Sequence, residues 1–182
     1  GGSLNVSGGG LASATVVNEG GVIIVSSGGE SYFTQIYSGG EERILSGGYG
    51  PNATIYNGGL QTIAAGGVDS ESTILAGGTQ VVGGVASAAL ISGTQTILSG
   101  GTGIDGIVDS GGLVSAGSGS TLLGYKMVGD SASIVAAGVV SASSAGGLAL
   151  SVAGTGNSVT LTQAALGADI EYAGSGNTLT LI

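Results

Sequence analysis

Hydrophobic residues return along the chain every 19 residues, and pairs of glycines mark the interval. The pairs begin at residues 1, 9, 20, 28, 39, 47, 58, 66 and 77, so spacings of 8 and 11 residues alternate over four copies. We number each copy from 1 to 19, starting at the first glycine of its first pair. Position 6 is aliphatic in Val6, Val25, Ile44, Ile63, Val82 and Ile97. Position 17 is aliphatic in Val17, Ile36, Ile55, Ile74, Ile91 and Val108. Position 15 is small in Thr15, Thr34, Ala53, Ser72 and Ala89.

This pattern predicts short parallel strands rather than helices. The segments between glycine pairs are too short for a helix, and β-branched residues favour strands. Because side chains alternate along a strand, positions 15 and 17 share one face. We predict an all-β fold, a parallel β-solenoid of roughly nine to ten coils whose equivalent residues stack about 4.8 Å apart. A flexible glycine-rich linker would not keep β-branched residues in a fixed register.

The repeat loses regularity toward the C-terminus. The fifth copy is three residues shorter than the others, and the sixth lacks one glycine. We therefore expect a regular solenoid over 1–116 and a continuation with irregular coils over 117–182. The spacing slips around Tyr125, Lys126 and Met127, which predicts an insertion loop or a change in the cross-section of the coil.

Composition excludes several classes of protein. The 182 residues include 41 glycines but one proline, unlike collagen or a proline-rich linker. A hydrophobic content of 42% with 7% charged residues excludes an acidic disordered chain. The sequence has no His and no Cys, which removes imidazole bases, thiol nucleophiles, Cys/His zinc sites and disulfides. With a net charge of −9 we expect no nucleic acid partner, and no apolar run reaches the ~18 residues of a membrane span.

Two stretches resemble a known family. GGLQTIAAGGVDSESTILAGG (58–78) follows the pattern GGxQxVxxGGxAxxTxVxxGG, with Gln61 and Ile63 at or beside marked positions, and GTQTILSGG (93–101) follows its first half. The pattern is that of the glycine-rich repeat in self-associating autotransporter adhesins of Gram-negative bacteria, which are exported by type V secretion. The resemblance covers roughly 1–116.

The resemblance implies a right-handed β-helix in an extracellular passenger at the bacterial outer surface. It also implies adhesion, cell aggregation or biofilm formation, with the protein itself, like molecules on other cells, or surface glycans as partners. It implies no cofactor. The alternative is a polysaccharide-binding or polysaccharide-processing β-helix. We expect no enzymatic activity, because no convergent set of catalytic groups is evident.

A nine-residue stretch matches a calcium-binding motif. Residues 100–108, GGTGIDGIV, fit the pattern GGxGxDxUx, which makes Asp105 a candidate calcium ligand. Calcium takes 6–8 oxygen ligands, however, and a single copy of the motif does not complete that shell. The same residues also fit the 19-residue frame, so the expected metal content is none.

The acidic residues allow a catalytic and a structural interpretation. Asp69 and Glu71 lie two residues apart, and a carboxylate pair is the catalytic apparatus of glycoside hydrolysis. The simpler interpretation is solvated charge that keeps the solenoid soluble. Arg43 follows Glu41 and Glu42 directly, and we expect it to pair with both.

Two rows of side chains should run along the solenoid. Tyr37 and Tyr56 share position 18, so we expect them to stack on the outer surface and regard them as candidate residues for binding a sugar or a partner. Gln61, Gln80 and Gln95 share position 4 and predict a structural ladder of hydrogen-bonded amides.

The ends of a solenoid carry unpaired strand edges, which template association unless they are covered. Two expectations follow: the segment belongs to a longer protein, or copies stack end to end into a homopolymer.

Overall fold

A computed structural model describes residues 1–117, 119–128, 130–137, 149–153, 158–162, 169–173 and 175–181. These residues form 25 strands, and every pair of neighbouring strands is parallel. No described residue is helical, so this part of the chain contains no helix that could cross a bilayer. The chain is an all-β parallel solenoid, which confirms the predicted fold class.

Three sheets form the sides of the solenoid. Sheet A stacks ten strands: β1 (Ser3–Val6), β4 (Val22–Val25), β7 (Glu41–Ile44), β9 (Leu60–Ile63), β12 (Thr79–Val82), β15 (Thr94–Ile97), β18 (Leu113–Ala116), β21 (Ser133–Ala137), β23 (Ser158–Thr162) and β25 (Thr178–Leu181). Sheet B contains β2 (Leu11–Ser13), β5 (Glu30–Tyr32), β10 (Val68–Ser70), β13 (Val85–Ser87), β16 (Thr102–Ile104) and β19 (Thr121–Leu123), with Tyr49 bridging β5 to β10. Sheet C contains β3 (Val16–Val17), β6 (Gln35–Ile36), β8 (Thr54–Ile55), β11 (Thr73–Ile74), β14 (Leu90–Ile91), β17 (Ile107–Val108), β20 (Tyr125–Met127), β22 (Ala149–Ala153) and β24 (Asp169–Ala173).

The strand register matches the sequence repeat. Val25 pairs with Ile44, and Ile44 pairs with Ile63, so position 6 forms a continuous column in sheet A. Position 17 forms a second column in sheet C, where Ile55 pairs with Ile74. Both columns point inward and are buried. The side chains that the 19-residue pattern predicted as core therefore form the core.

The two glycines of a pair serve different purposes, as Gly100 and Gly101 illustrate. Gly100 has a φ of 79°, and the amide of Gly101 donates to the carbonyl of Leu98 at 2.9 Å. This is a type II turn, in which the third residue needs a positive φ. At Gly101 a Cβ would instead overlap the carbonyl oxygen of Val82 in the preceding coil. The first glycine makes the turn, and the second lets neighbouring coils approach closely.

A third corner, at position 14, carries no glycine signature. Its backbone is left-handed in seven successive coils, with φ between 52° and 65°. The residues are Ala14, Phe33, Asn52, Glu71, Ala88, Asp105 and Gly124. Only Asn, Asp and Gly adopt this conformation readily, so the corner is not visible in the sequence pattern.

By strand register the fifth coil is four residues shorter than the 19-residue coils before it, not three, and it loses these residues only from its turns. Four residues join Ile63 to Val68, whereas only Gly83 and Gly84 join β12 to β13. The turn between β14 and β15, Ser92 and Gly93, is also two residues long instead of four. Gln80 therefore pairs with Gln95 at a spacing of 15. The strands keep their register because both deletions lie outside them.

The predicted slip around Tyr125, Lys126 and Met127 is wrong. Lys126 pairs with Ile107 and Met127 with Val108, so the 19-residue spacing persists through β20. The spacing first lengthens between β18 and β21, and between β20 and β22 it reaches 25 residues. Residues 138–148, which join β21 to β22, lie outside the described residues, so the expected insertion loop or change in cross-section stays a prediction.

Candidate functional site

A column of hydrogen-bonded polar side chains runs through the interior of the solenoid. Gln61, Gln80 and Gln95 at position 4 are fully buried. Gln95 Nε2 donates to Gln80 Oε1 at 2.7 Å, and Gln80 Nε2 donates to Gln61 Oε1 at 2.7 Å. The predicted amide ladder is confirmed, and it lies inside the core. All three amides point their nitrogen toward the N-terminal coils, so their dipoles align.

Two fully buried carboxylates terminate this ladder. Gln61 Nε2 donates to Glu42 Oε2 at 2.8 Å and to Asp69 Oδ1 at 3.2 Å, and Gln80 Nε2 donates to Asp69 Oδ2 at 3.0 Å. Hydroxyl groups supply the remaining donors. Ser31 and Thr34 donate to Glu42 Oε1, and Ser72 donates to Asp69 Oδ1. Each carboxyl group therefore accepts three hydrogen bonds, and no basic side chain contributes one.

Burial is the largest influence on the pKa of both carboxyl groups. Desolvation, with a smaller contribution from the nearby Glu42, raises the pKa of Asp69 to about 7, although hydrogen bonds from Ser72, Gln61 and Gln80 lower it. Desolvation also raises the pKa of Glu42, although the bonds from Ser31, Gln61 and Thr34 oppose the shift. A carboxyl group with a pKa near neutrality changes charge under physiological conditions.

A buried tyrosine closes the other end of the ladder. Tyr125 is 1% exposed, and its hydroxyl donates to Gln95 Oε1 at 2.6 Å. Its ring occupies space in the preceding coil because Gly103 and Gly106 have no side chains there; a Cβ at either position would overlap the ring. Two glycines of the calcium-like motif therefore accommodate an aromatic side chain. Burial raises the pKa of Tyr125 above its ordinary range.

Two expectations about charged residues are wrong. Arg43 binds Glu41 alone, with Nε to Oε1 at 2.7 Å and Nη2 to Oε2 at 2.6 Å, while Glu42 points inward. Asp69 is buried rather than solvated, whereas Glu71 is exposed at the left-handed corner. The two side chains thus lie in different environments and do not form a solvent-accessible acid pair. The signal was present in the repeat, since Glu42 occupies the amide column, and Asp69 occupies an inward position that holds Ala86 and Gly103 in the next two coils.

Asp105 also lies at the left-handed corner, with a φ of 52°. Its side chain lies against Gly124 of the next coil. Within the described residues no group of three or more acidic side chains could hold a metal ion. The structure thus explains Asp105 as a residue type that tolerates this corner.

Tyr37 and Tyr56 stack as the repeat predicted. Their ring centroids are 4.3 Å apart and the ring planes differ by 9°. The Tyr37 hydroxyl donates to Gln35 Oε1 at 3.0 Å. The two rings cover one face of each other, which leaves less ring surface for a sugar. Binding by Tyr37 and Tyr56 stays a prediction.

Together, the fold and the closed interior define a β-solenoid whose outward rows of side chains form its accessible surface. No family model matches the chain. No curated protein matches it in sequence.

Among solved structures, the chain is similar to the TibA55-350 fragment in the form hyper-glycosylated by TibC catalysis. The TM-score is 0.63 with 26% identity, and the match covers 96% of this chain and 73% of the fragment. TibA is an autotransporter adhesin, and the fragment belongs to its passenger. The expected resemblance to an autotransporter repeat region is confirmed, and the solenoid is adhesin-like.

Proposed function

We propose that this chain is an adhesive segment of a cell-surface or secreted protein and that it associates with like molecules on other cells. Cell aggregation and biofilm formation follow from that activity. The observation that carries the proposal is the similarity to the TibA fragment over nearly the whole chain. The role is mechanical and non-catalytic: a stack of coils presents repeated outward side chains, and many weak contacts act together.

Sheet A is the best contact surface for a second copy. From β9 onward its strands contain no charged residue. In β9, β12, β15 and β18 the outward positions carry Thr, Ser, Val and Leu, as in Thr62 and Thr96. The chain as a whole has a net charge of −9, so two copies repel unless they meet on an uncharged side. Hydroxyl groups on both partners supply hydrogen bonds, and the methyl groups supply apolar area.

The test displays the segment on non-aggregating bacteria and measures their sedimentation. Wild-type display should make the cells settle, and the double substitution Thr62→Glu, Thr96→Glu should abolish settling through charge repulsion. The matched control, Thr54→Glu, Thr73→Glu, places the same two charges on half-buried threonines of sheet C. The control should settle like wild type. Cells that remain suspended with the wild-type segment would contradict the proposal.

We also propose that isolated copies of this segment stack end to end. In the first coil Leu4, Leu11 and Val16 are 45%, 66% and 52% exposed. Leu4 and Val16 line a cavity at the N-terminal end of the solenoid, where a further coil would cover part of their surface. Electron microscopy of the purified segment at high concentration should reveal fibres. Monodisperse short particles would eliminate end-to-end assembly without affecting lateral adhesion.

The alternative of a polysaccharide-processing β-helix receives less support. Asp69, on which the catalytic interpretation depended, is fully buried and makes no contact with solvent. The polysaccharide-binding alternative depends on exposed aromatic side chains.

A further inference from the structure

Phe33 is the most unusual residue on the surface. It occupies the left-handed corner with a φ of 56°, a conformation that is costly for a bulky side chain. Its side chain is nevertheless 56% exposed, so packing in the core does not explain its presence. In the next coil the same corner holds Asn52, a residue that tolerates the conformation. Strain of this kind concentrates at functional sites.

Phe33 belongs to an aromatic patch, which we define as Tyr32, Phe33 and Tyr49. The Tyr32 centroid is 6.4 Å from that of Phe33, with ring planes 44° apart. Tyr32 and Tyr49 meet edge to face at 6.1 Å and 88°. These rings are inclined to each other, unlike the parallel pair Tyr37 and Tyr56. An inclined arrangement leaves ring faces uncovered by the other rings of the patch.

Aromatic residues are concentrated in these coils. The chain has six tyrosines and one phenylalanine, and five of the seven lie between residues 32 and 56. Other coils place Ser, Val, Ile, Leu or Thr at the outward positions of sheet B. The fold therefore does not require aromatic side chains there.

Hydrogen-bonding groups border the patch. The Tyr32 hydroxyl donates to Glu30 Oε2 at 2.9 Å, and the Tyr49 hydroxyl and Ser70 Oγ are 2.7 Å apart. The Glu30 carboxylate accepts hydrogen bonds from ligand hydroxyls, and together with the net charge of −9 it repels anionic ligands.

We propose that the aromatic patch binds a pyranose ring of an uncharged glycan. The apolar face of the sugar stacks on Phe33, and Glu30 accepts bonds from its hydroxyls. A second copy of the chain fits the patch less well, because the patch spans only two coils and carries the same negative charge as any copy. The proposal does not depend on self-association through sheet A.

The test is saturation-transfer NMR on the wild-type chain with cellohexaose, maltohexaose and chitohexaose as probes. Irradiation of the aromatic protons should transfer saturation to the ring C–H protons of at least one of the three sugars. Phe33→Asn keeps a residue type suited to the corner, so the variant should fold, and its affinity for that sugar should fall at least about tenfold. The absence of transfer from all three sugars, or equal transfer in the variant, would overturn the proposal.

Two further measurements separate this site from its competitors. The double variant Tyr37→Ala, Tyr56→Ala should bind the sugar as wild type does; loss of binding there, with binding kept in Phe33→Asn, would move the site to the stacked pair. Sedimentation velocity should give the same oligomeric state for wild type and Phe33→Asn. A change in that state with no sugar binding would make the patch a contact between copies and refute the glycan proposal.

Discussion

Asp69 and Glu42 link the interior of the solenoid to pH. The folded chain holds a proton on Asp69 up to about pH 7, whereas the unfolded chain releases it near pH 4. The stabilising contribution of Asp69 is therefore complete below about pH 4 and is lost as the pH rises through about 7. Glu42, whose pKa is also raised, contributes with the same sign.

The substitution Asp69→Asn should weaken this dependence. Wild type should lose roughly 2–4 kcal/mol of unfolding free energy between pH 4 and pH 8, and the variant should lose less because one titrating group is gone. Urea denaturation at both pH values measures the difference. Glu71→Gln, which removes an exposed carboxylate two residues away, serves as control and should keep the wild-type slope. Equal slopes in wild type and Asp69→Asn would contradict the burial of Asp69.

Alanine substitutions at the adjacent residues Gly100 and Gly101 distinguish the cost of backbone strain from the cost of steric overlap. An added Cβ at Gly100 has no atom within 4 Å, so Gly100→Ala should cost only about 1–2 kcal/mol for its left-handed backbone. At Gly101 the methyl group overlaps the Val82 carbonyl, and the coils must move apart. Gly101→Ala should therefore have the lower urea midpoint of the two. The reverse order would mean that the turn conformation, and not the approach of coils, limits this corner.

At the scale of the element, the lengths and register of the strands are constant between coils, whereas the turns vary in length. Insertion of Ala-Ala between Val82 and Gly83 restores the four-residue turn that follows Ile63. Its expected cost is below about 1 kcal/mol, because loop entropy changes slowly with length. One alanine inserted after Gln80 should be far more damaging, since it turns the following side chain of β12 to the opposite face. Urea midpoints of the two variants test this, and similar losses would show that the strand register is not specified by the core.

The sequence predicted the strand elements because their inward residues repeat with a uniform character. Val and Ile at positions 6 and 17 define the columns, and glycine pairs define two of the corners. The third corner could not be predicted because residue types such as Phe33 and Glu71 rarely adopt a positive φ. The interior carboxylates were missed because charge normally indicates exposure. Glu42 is stable inside only because its neighbours in three dimensions, Ser31, Thr34 and Gln61, donate to it, and residue type alone does not reveal those contacts.

At the scale of the whole molecule, charge opposes association between copies. Each chain has 11 acidic and 2 basic residues, which gives a net charge of −9. Raising the salt from ~10 mM to ~150 mM shortens the Debye length from about 30 Å to about 8 Å. Self-association should strengthen over that range, as measured by sedimentation equilibrium. Sucrose of equal osmolality, which does not screen charge, is the control. Weaker association in salt would indicate that ion pairs hold the copies together.

The uniform direction of the amide ladder has a consequence for inheritance. Gln80 accepts from Gln95 in the next coil the same kind of amide hydrogen bond that it donates to Gln61 in the preceding coil. A duplicated coil spliced into this column finds a donor on one side and an acceptor on the other, so no buried amide is left unpaired. Recombination between copies of the repeat would then change the length of the solenoid in single-coil steps while leaving its interior chemistry intact.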